Sequence, residues 1–169
     1  MHSLLLTSIL LVLAVALGLA LFVTARPSAR NLTSLANVAE GFWHGSKTYL
    51  ATGAISTRYL LAKLGADAAH ADIAAAADIP IGFFTDEATA AEDPVNVNLL
   101  GTTPTTQIGV ASAAIALGAF IVPDAGGKIR TLPVTTGTYY IIGRALSVAA
   151  ANNDPVVVDP CFPIQRVVP

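Results

Sequence analysis

Residues 81–99, IGFFTDEATAAEDPVNVNL, are restated 61 positions later as IGRALSVAAANNDPVVVDP. The shift pairs Ile81 with Ile142, Gly82 with Gly143, Ala88 with Ala149 and Ala90 with Ala151. It also pairs Asp93 with Asp154, Pro94 with Pro155, Val95 with Val156 and Val97 with Val158. Eight identities in seventeen ungapped positions, only two of them alanine, constrain the fold more than any other feature of the chain. In each copy a β-prone run passes through a glycine, an Ala-rich bend follows, and Asp-Pro introduces alternating valines. Proline fixes φ and lacks an N–H, so it suits the first residue of a strand. Period-two valines then bury one face of that strand. With one residue of slack the echo reaches upstream, where Ala54-Ile55 matches Ala114-Ile115.

Two similar β-units are therefore expected, over about 51–100 and 111–160. Gly82, Pro94, Gly143 and Pro155 serve as their repeated scaffold. The fold class is mainly β, a sandwich or barrel of two pseudo-repeated units packed about a pseudo-twofold. Candidate strands fall at 47–51, 58–64, 79–85, 95–100, 107–111, 119–123, 128–132, 139–146 and 156–159, with turn residues between them. Asp124 to Lys128, DAGGK, predicts a hairpin turn, because consecutive glycines accept positive φ cheaply. GADAAHADIAAAAD, residues 65–78, lacks a sustained apolar face and predicts one short helical turn.

The N-terminal third has a different texture. Residues 4–23 are twenty uncharged residues, enough for a membrane-spanning helix. Their flanks do not suit export: MHS carries no Lys or Arg, and Arg26 and Arg30 follow the apolar run. Residues 1–34 are thus read as a hydrophobic helical segment that is an anchor, a poor signal peptide or sequence outside the working protein. Residues 35–50 read as an extended arm, its helical period broken by Gly41 and Gly45, and 51–169 as the β-rich domain. The sequon at Asn31 is read as chance.

Charged residues make up 12% of the chain, about half the ~25% of ordinary soluble domains. The net charge of −2 argues against a nucleic-acid partner, which calls for a basic face. A weakly charged, small-residue surface suits close packing against other proteins. Cys161 is the single cysteine, so no internal disulfide is implied, and it reads as a small buried hydrophobe.

No catalytic, metal or cofactor constellation emerges. His2, His44 and His70 share no ligand spacing with Cys161 or the carboxylates. His70 reads as a solvated loop histidine. AGGK lacks the first glycine and the Ser/Thr of a phosphate loop, and no G-x-S-x-G elbow is present. Asp86, Glu87, Glu92 and Asp93 read as a solvated acidic loop rather than a Ca²⁺ site. Phe42 and Trp43 on the arm are the aromatic pair with two readings: a core plug where the arm folds back, or an anchor for a protein partner.

AIALGAFIVPDAGGKI, YYIIGRAL and the closing DPVVVDPCFP resemble the small capsid decoration, or cement, proteins of tailed bacteriophages and prophages. The resemblance runs from about residue 35 to 168. It implies a non-enzymatic β-rich domain that binds the outer capsid surface, associates with itself and reinforces the shell. The implied partner is the major capsid protein, with a homotrimer expected before a dimer, no cofactor, no nucleic acid, and a membrane only if residues 4–23 are retained. The implied location is the virion surface, and the host cytoplasm before assembly. A membrane-anchored or secreted β-domain with a binding role is the rival reading. Proteins of this family usually start at the arm, and leucine can be encoded by an alternative bacterial start codon. Translation from Leu35 is therefore expected, with a genuine anchor as the alternative.

Overall fold

The computed structural model describes residues 45–102 and 105–169. The expectations for residues 1–44, including the helix at 4–23, Phe42, Trp43 and the start at Leu35, lie outside the described residues. Ten strands follow in chain order: β1 (Ser46–Ala51), β2 (Leu61–Leu64), β3 (His70–Ile73), β4 (Gly82–Phe84), β5 (Pro94–Leu99), β6 (Gln107–Val110), β7 (Phe120–Pro123), β8 (Ile129–Thr131), β9 (Gly137–Ala145) and β10 (Pro155–Val168). The first five form a closed barrel in the order β1-β3-β2-β4-β5. The other five form a sheet in the order β6-β10-β9-β7-β8.

These are the same topology twice. β1 pairs antiparallel with β5 as β6 does with β10, β2 with β3 as β7 with β8, β2 with β4 as β7 with β9, and β4 with β5 as β9 with β10. The loops repeat too. Ile55 and Ala88 exchange both backbone hydrogen bonds, at 2.8 and 3.0 Å, and Ile115 and Ala149 do the same at 3.0 and 3.0 Å. All four residues are buried.

The Asp-Pro pair has a local cause in both copies. The Asp93 carboxylate accepts the N–H groups of Thr89 and Ala90, and that of Asp154 accepts those of Ala150 and Ala151. Glu92 and Asn153, the residues just before, both hold positive φ, 69° and 73°. Their N–H groups donate to Ala51 and Ala111, whose own N–H groups donate back to Asp93 and Asp154. Aspartate satisfies the bend, and proline opens β5 or β10 at an exposed position. Gly82 and Gly143 are buried where β4 and β9 cross the neighbouring strand. A Cβ on Gly82 would collide with the Asn98 carbonyl oxygen, and one on Gly143 with that of Asp159, again 61 positions apart.

The barrel is narrow, and small residues fill it: Ala51, Ala62 and Ala71 are fully buried beside Phe84, Val95 and Val97. This explains a correction. Residues 70–73, expected near a helical turn, form strand β3, pairing with β2 on one side and parallel with β1 on the other. Alanine's helical preference is weak, and a cavity that accepts only a methyl group overrides it. The Asp124–Lys128 hairpin is present, tightened by a 3₁₀ turn over Ala125–Gly127 with Gly126 and Gly127 at positive φ. β10 is much longer than expected. Beyond Val158 it leaves β6 and runs on with β9 alone, with a register shift between Pro160 and Ile164. One edge there is unpaired among the described strands, so Pro160 and Pro163 forfeit no ladder bond on that side.

The two copies differ in closure. β1 and β3 close the barrel through parallel partners Leu50–His70 and Ala51–Ala71. At the equivalent seam of the second sheet only one parallel bridge forms, Ala111 to Ile129. The core behind this seam includes Leu61, Ala74, Phe83 and Leu100 from the barrel, packed with Ile115, Ile121, Ile129 and Ile142. Gly109 on β6 makes room: a Cβ there would lie 2.7 Å from Ile129 and 3.0 Å from Phe83. The barrel's outer face thus completes the second sheet's core. Asn98 also donates to Gln107 at 3.0 Å between β5 and β6.

Candidate interaction surface

Because the two copies share a backbone frame, their outward positions can be compared one by one. On the barrel, Thr48 lies opposite Asn96 across β1 and β5. The Thr85 N–H donates to the Asn96 carbonyl at 2.9 Å. On the second sheet, Ile108 lies opposite Val157 across β6 and β10, and the Leu146 N–H donates to the Val157 carbonyl at 2.7 Å. Even the polar support beneath survives. The Asn96 N–H donates to the Asp86 carboxylate, and the Val157 N–H to the Ser147 hydroxyl.

The side chains, however, invert in character. In the barrel the Asn96 amide donates to the Thr85 hydroxyl at 3.0 Å, and Arg58 pairs with Glu87 at 3.7 Å. In the second sheet Leu146 and Val157 replace Thr85 and Asn96, Ile108 replaces Thr48, and Leu117 and Val148 occupy the positions of the ion pair. Their exposures are 36% for Ile108, 67% for Leu117, 45% for Leu146, 65% for Val148 and 38% for Val157. Five polar positions in one copy are five exposed aliphatic positions in the other. Isolated exposed apolar residues need no explanation, whereas a grouped replacement on a shared frame is a candidate interaction surface.

His2 and His44 lie outside the described residues; the described residues singled out for chemistry are engaged structurally. His70 is on β3 rather than in a solvated loop, and its side chain is 20% exposed. Its Nδ1 lies 2.7 Å from Asp67 and its Nε2 3.0 Å from Glu92, so carboxylates bracket the ring and raise its pKa, Asp67 most strongly. Asp67 in turn is held below the ordinary carboxylate range, chiefly by His70. Asp93 is likewise lowered, first by the Thr89 hydroxyl and then by the turn's N–H groups. Cys161 is half-buried, and burial, followed by the Asp159 charge, pushes its thiol pKa up, away from a reactive thiolate. Among the described residues no group of three or more His, Cys, Asp or Glu could hold a metal ion, and no helix is long and apolar enough to cross a membrane. Phe42 and Trp43 lie outside the described residues, and Gly82, Pro94, Gly143 and Pro155 sit in the frame rather than on the apolar face. The apolar face itself was not anticipated, although the signal was present in the mismatches of the repeat: Thr85/Leu146, Glu87/Val148 and Asn96/Val157.

The two copies thus share one β-frame and differ in their exposed side chains. The chain belongs to the phage cement protein family, which matches residues 50–160. It is with that family a structural protein of the virion. Among solved structures it is similar to the head fiber gp8.5 N base in bacteriophage phi29, with a TM-score of 0.50 and 20% identity, covering 73% of this chain and 96% of that one. At that identity the likeness speaks for the fold. No curated protein matches the chain.

Proposed function

We propose that this protein binds the outer surface of the capsid, with the major capsid protein as its partner, and reinforces the shell without catalysis. The supporting observation is the replacement of Thr48, Arg58, Thr85, Glu87 and Asn96 by Ile108, Leu117, Leu146, Val148 and Val157 on an otherwise matched frame. The aliphatic face is the capsid-contact surface. A homotrimer, or failing that a dimer, presents several copies at once, so that modest contacts add up to high avidity. The protein resides on the virion surface and, before assembly, in the host cytoplasm. The membrane-anchored or secreted alternative rests on residues 4–23, outside the described residues.

Capsids stripped of the protein test this. Re-addition of the wild-type chain is expected to restore shell heat stability. The double variant Leu117→Arg/Val148→Glu rebuilds the barrel's ion pair on the second sheet. It is expected to fold normally and to bind capsids at least tenfold more weakly, a loss of about 1.4 kcal/mol. Equal binding by the variant would remove this face from the contact, and no stabilisation by wild type would remove the cement function.

A further inference from the structure

The second copy of the repeat overruns the first at two strand ends. β5 stops at Leu99, whose counterpart is Pro160, yet β10 runs on to Val168. β4 starts at Gly82, the counterpart of Gly143, yet β9 starts at Gly137. The two overhangs pair with each other, from Ile141–Ile164 to Gly137–Val168. Neither has another neighbour among the described strands: β6 follows β10 only to Val158, and β7 meets β9 only at Gly143 and Arg144. Residues 137–141 and 164–168 thus form a two-stranded ribbon with both edges open. On it Ile164 and Val167 are 57% and 64% exposed, and Phe162 at its root is 72% exposed.

We infer that this ribbon is the surface through which copies of this chain join, β10 of one copy lying beside β9 of the next. A lone two-stranded ribbon is marginal in water, and three or more strands are needed for stability. The usual guards of an edge are missing over 164–168, which has no proline, no bulge and a single charge, Arg166. A second copy is the occupant because the two edges run antiparallel, so each ribbon supplies the strand that the other lacks. Pairing β10 with β10 about a twofold would leave both β9 edges open. It would also bring two Arg166 side chains together, like charges across one ladder. Head-to-tail joining instead sets Arg166 beside the uncharged stretch 137–141, GTYYI, whose tyrosine rings accept a guanidinium. Repeated around a closed ring, the contact leaves no edge and gives a finite assembly rather than a fibre. The five-stranded barrel of this chain already has Ala51, Ala62 and Ala71 inside it. Two ribbons would enclose less room still, so three are the smallest ring with space for larger side chains. The inference deepens the homotrimer proposed above and rests on that part of the reading, not on capsid binding.

Sedimentation velocity of the full-length protein is expected to give three times the chain mass of 17.3 kDa at micromolar concentration. Ile164→Arg and Val167→Asp change exposed side chains and should keep the far-ultraviolet circular dichroism of the wild type. Each should raise the concentration needed for half-assembly at least tenfold. The capsid-face variant Leu117→Arg/Val148→Glu should remain trimeric, so loss of assembly and loss of capsid binding are read apart. In a Cys161→Ser background, Gln165→Cys should form no disulfide-linked dimer on oxidation, because a neighbour's β9 separates the β10 strands. A monomeric wild type would overturn the inference, as would ribbon variants that assemble normally or a capsid-face variant that does not. A Gln165→Cys disulfide dimer would overturn the head-to-tail order in favour of the twofold.

Discussion

The barrel and the second sheet are built on one frame, yet one closes on itself and the other closes on its neighbour. What the copies share is buried or locked in turns: the Ile55–Ala88 and Ile115–Ala149 bridges, the Asp93 and Asp154 turns, and the glycines at 82 and 143. Where they diverge, each difference has a use. Position 83 in the barrel is a buried phenylalanine that completes the other core, while its counterpart Arg144 is exposed and lies 5.4 Å from the Phe120 ring. The second sheet thus repeats the barrel's frame, and substitution on its outside replaced polar side chains with exposed aliphatic ones.

The largest expected effect comes from breaking the dependence of one sheet on the other. Phe83→Ala should destabilise the protein by about 3–5 kcal/mol, since it empties a site in the shared core. Hydrogen exchange locates the damage: amides of β6 and β8, flanking the single Ala111–Ile129 bridge, are expected to lose more protection than those of β1 and β3. Earlier loss in β1 and β3 would mean that the second sheet stands without the barrel's help. The milder Phe83→Leu preserves enough core for the measurement if the alanine variant unfolds outright.

Next come the paired glycines. Gly82→Ala and Gly143→Ala should each cost about 2–3 kcal/mol, because the added methyl meets a backbone carbonyl rather than a movable side chain. Urea midpoints for the two variants should fall by similar amounts. A tolerated Gly143→Ala beside a damaging Gly82→Ala would show that the second frame relaxes where the first cannot. Smaller again are the turn aspartates. Asp93→Ala and Asp154→Ala each leave two N–H groups without their carboxylate, and thermal unfolding should register a loss of about 1 kcal/mol apiece.

Much of this frame was legible because a repeat reports its own constraints. Asp-Pro, the paired glycines and the valine alternation recur for reasons that are local, so identity between copies was enough to find them. β3 was not legible, since Ala71 is chosen by the width of a barrel interior that no window of sequence displays. Nor was the length of β10: the candidate strand at 156–159 stopped short of the stretch that runs on with β9 alone. The apolar face escaped for a different reason. It is written in the positions where the copies disagree, and those become informative only when the pairing shows which side chains point outward together.

The smallest effect separates the copies by pH. In the barrel, His70 ties the start of β3 to the bend before β5 through Glu92, with Asp67 on its other nitrogen. In the second sheet a similar strut is made by Lys128 donating to Asn152, one residue before the counterpart of Glu92, at 2.8 Å, an amine in place of an imidazole. Lys47 on β1 is turned to the Ala68 carbonyl and the Tyr49 ring. Both ring nitrogens of His70 can donate only when the imidazole is protonated, and its folded pKa is raised above the ordinary value of ~6.5. The stabilisation is therefore complete below that unfolded value and is lost as pH rises through the folded one. At the acid end it is lost as pH falls through the lowered pKa of Asp67. Solvent screens the pair, so the change in unfolding midpoint between slightly acid and slightly alkaline buffer should be small but measurable. His70→Lys copies the second sheet's strut into the barrel and should flatten the profile across that interval while keeping the acid-side stability. Proton NMR of the His70 ring gives the folded pKa directly, and a value at or below the ordinary one would leave the two struts equivalent.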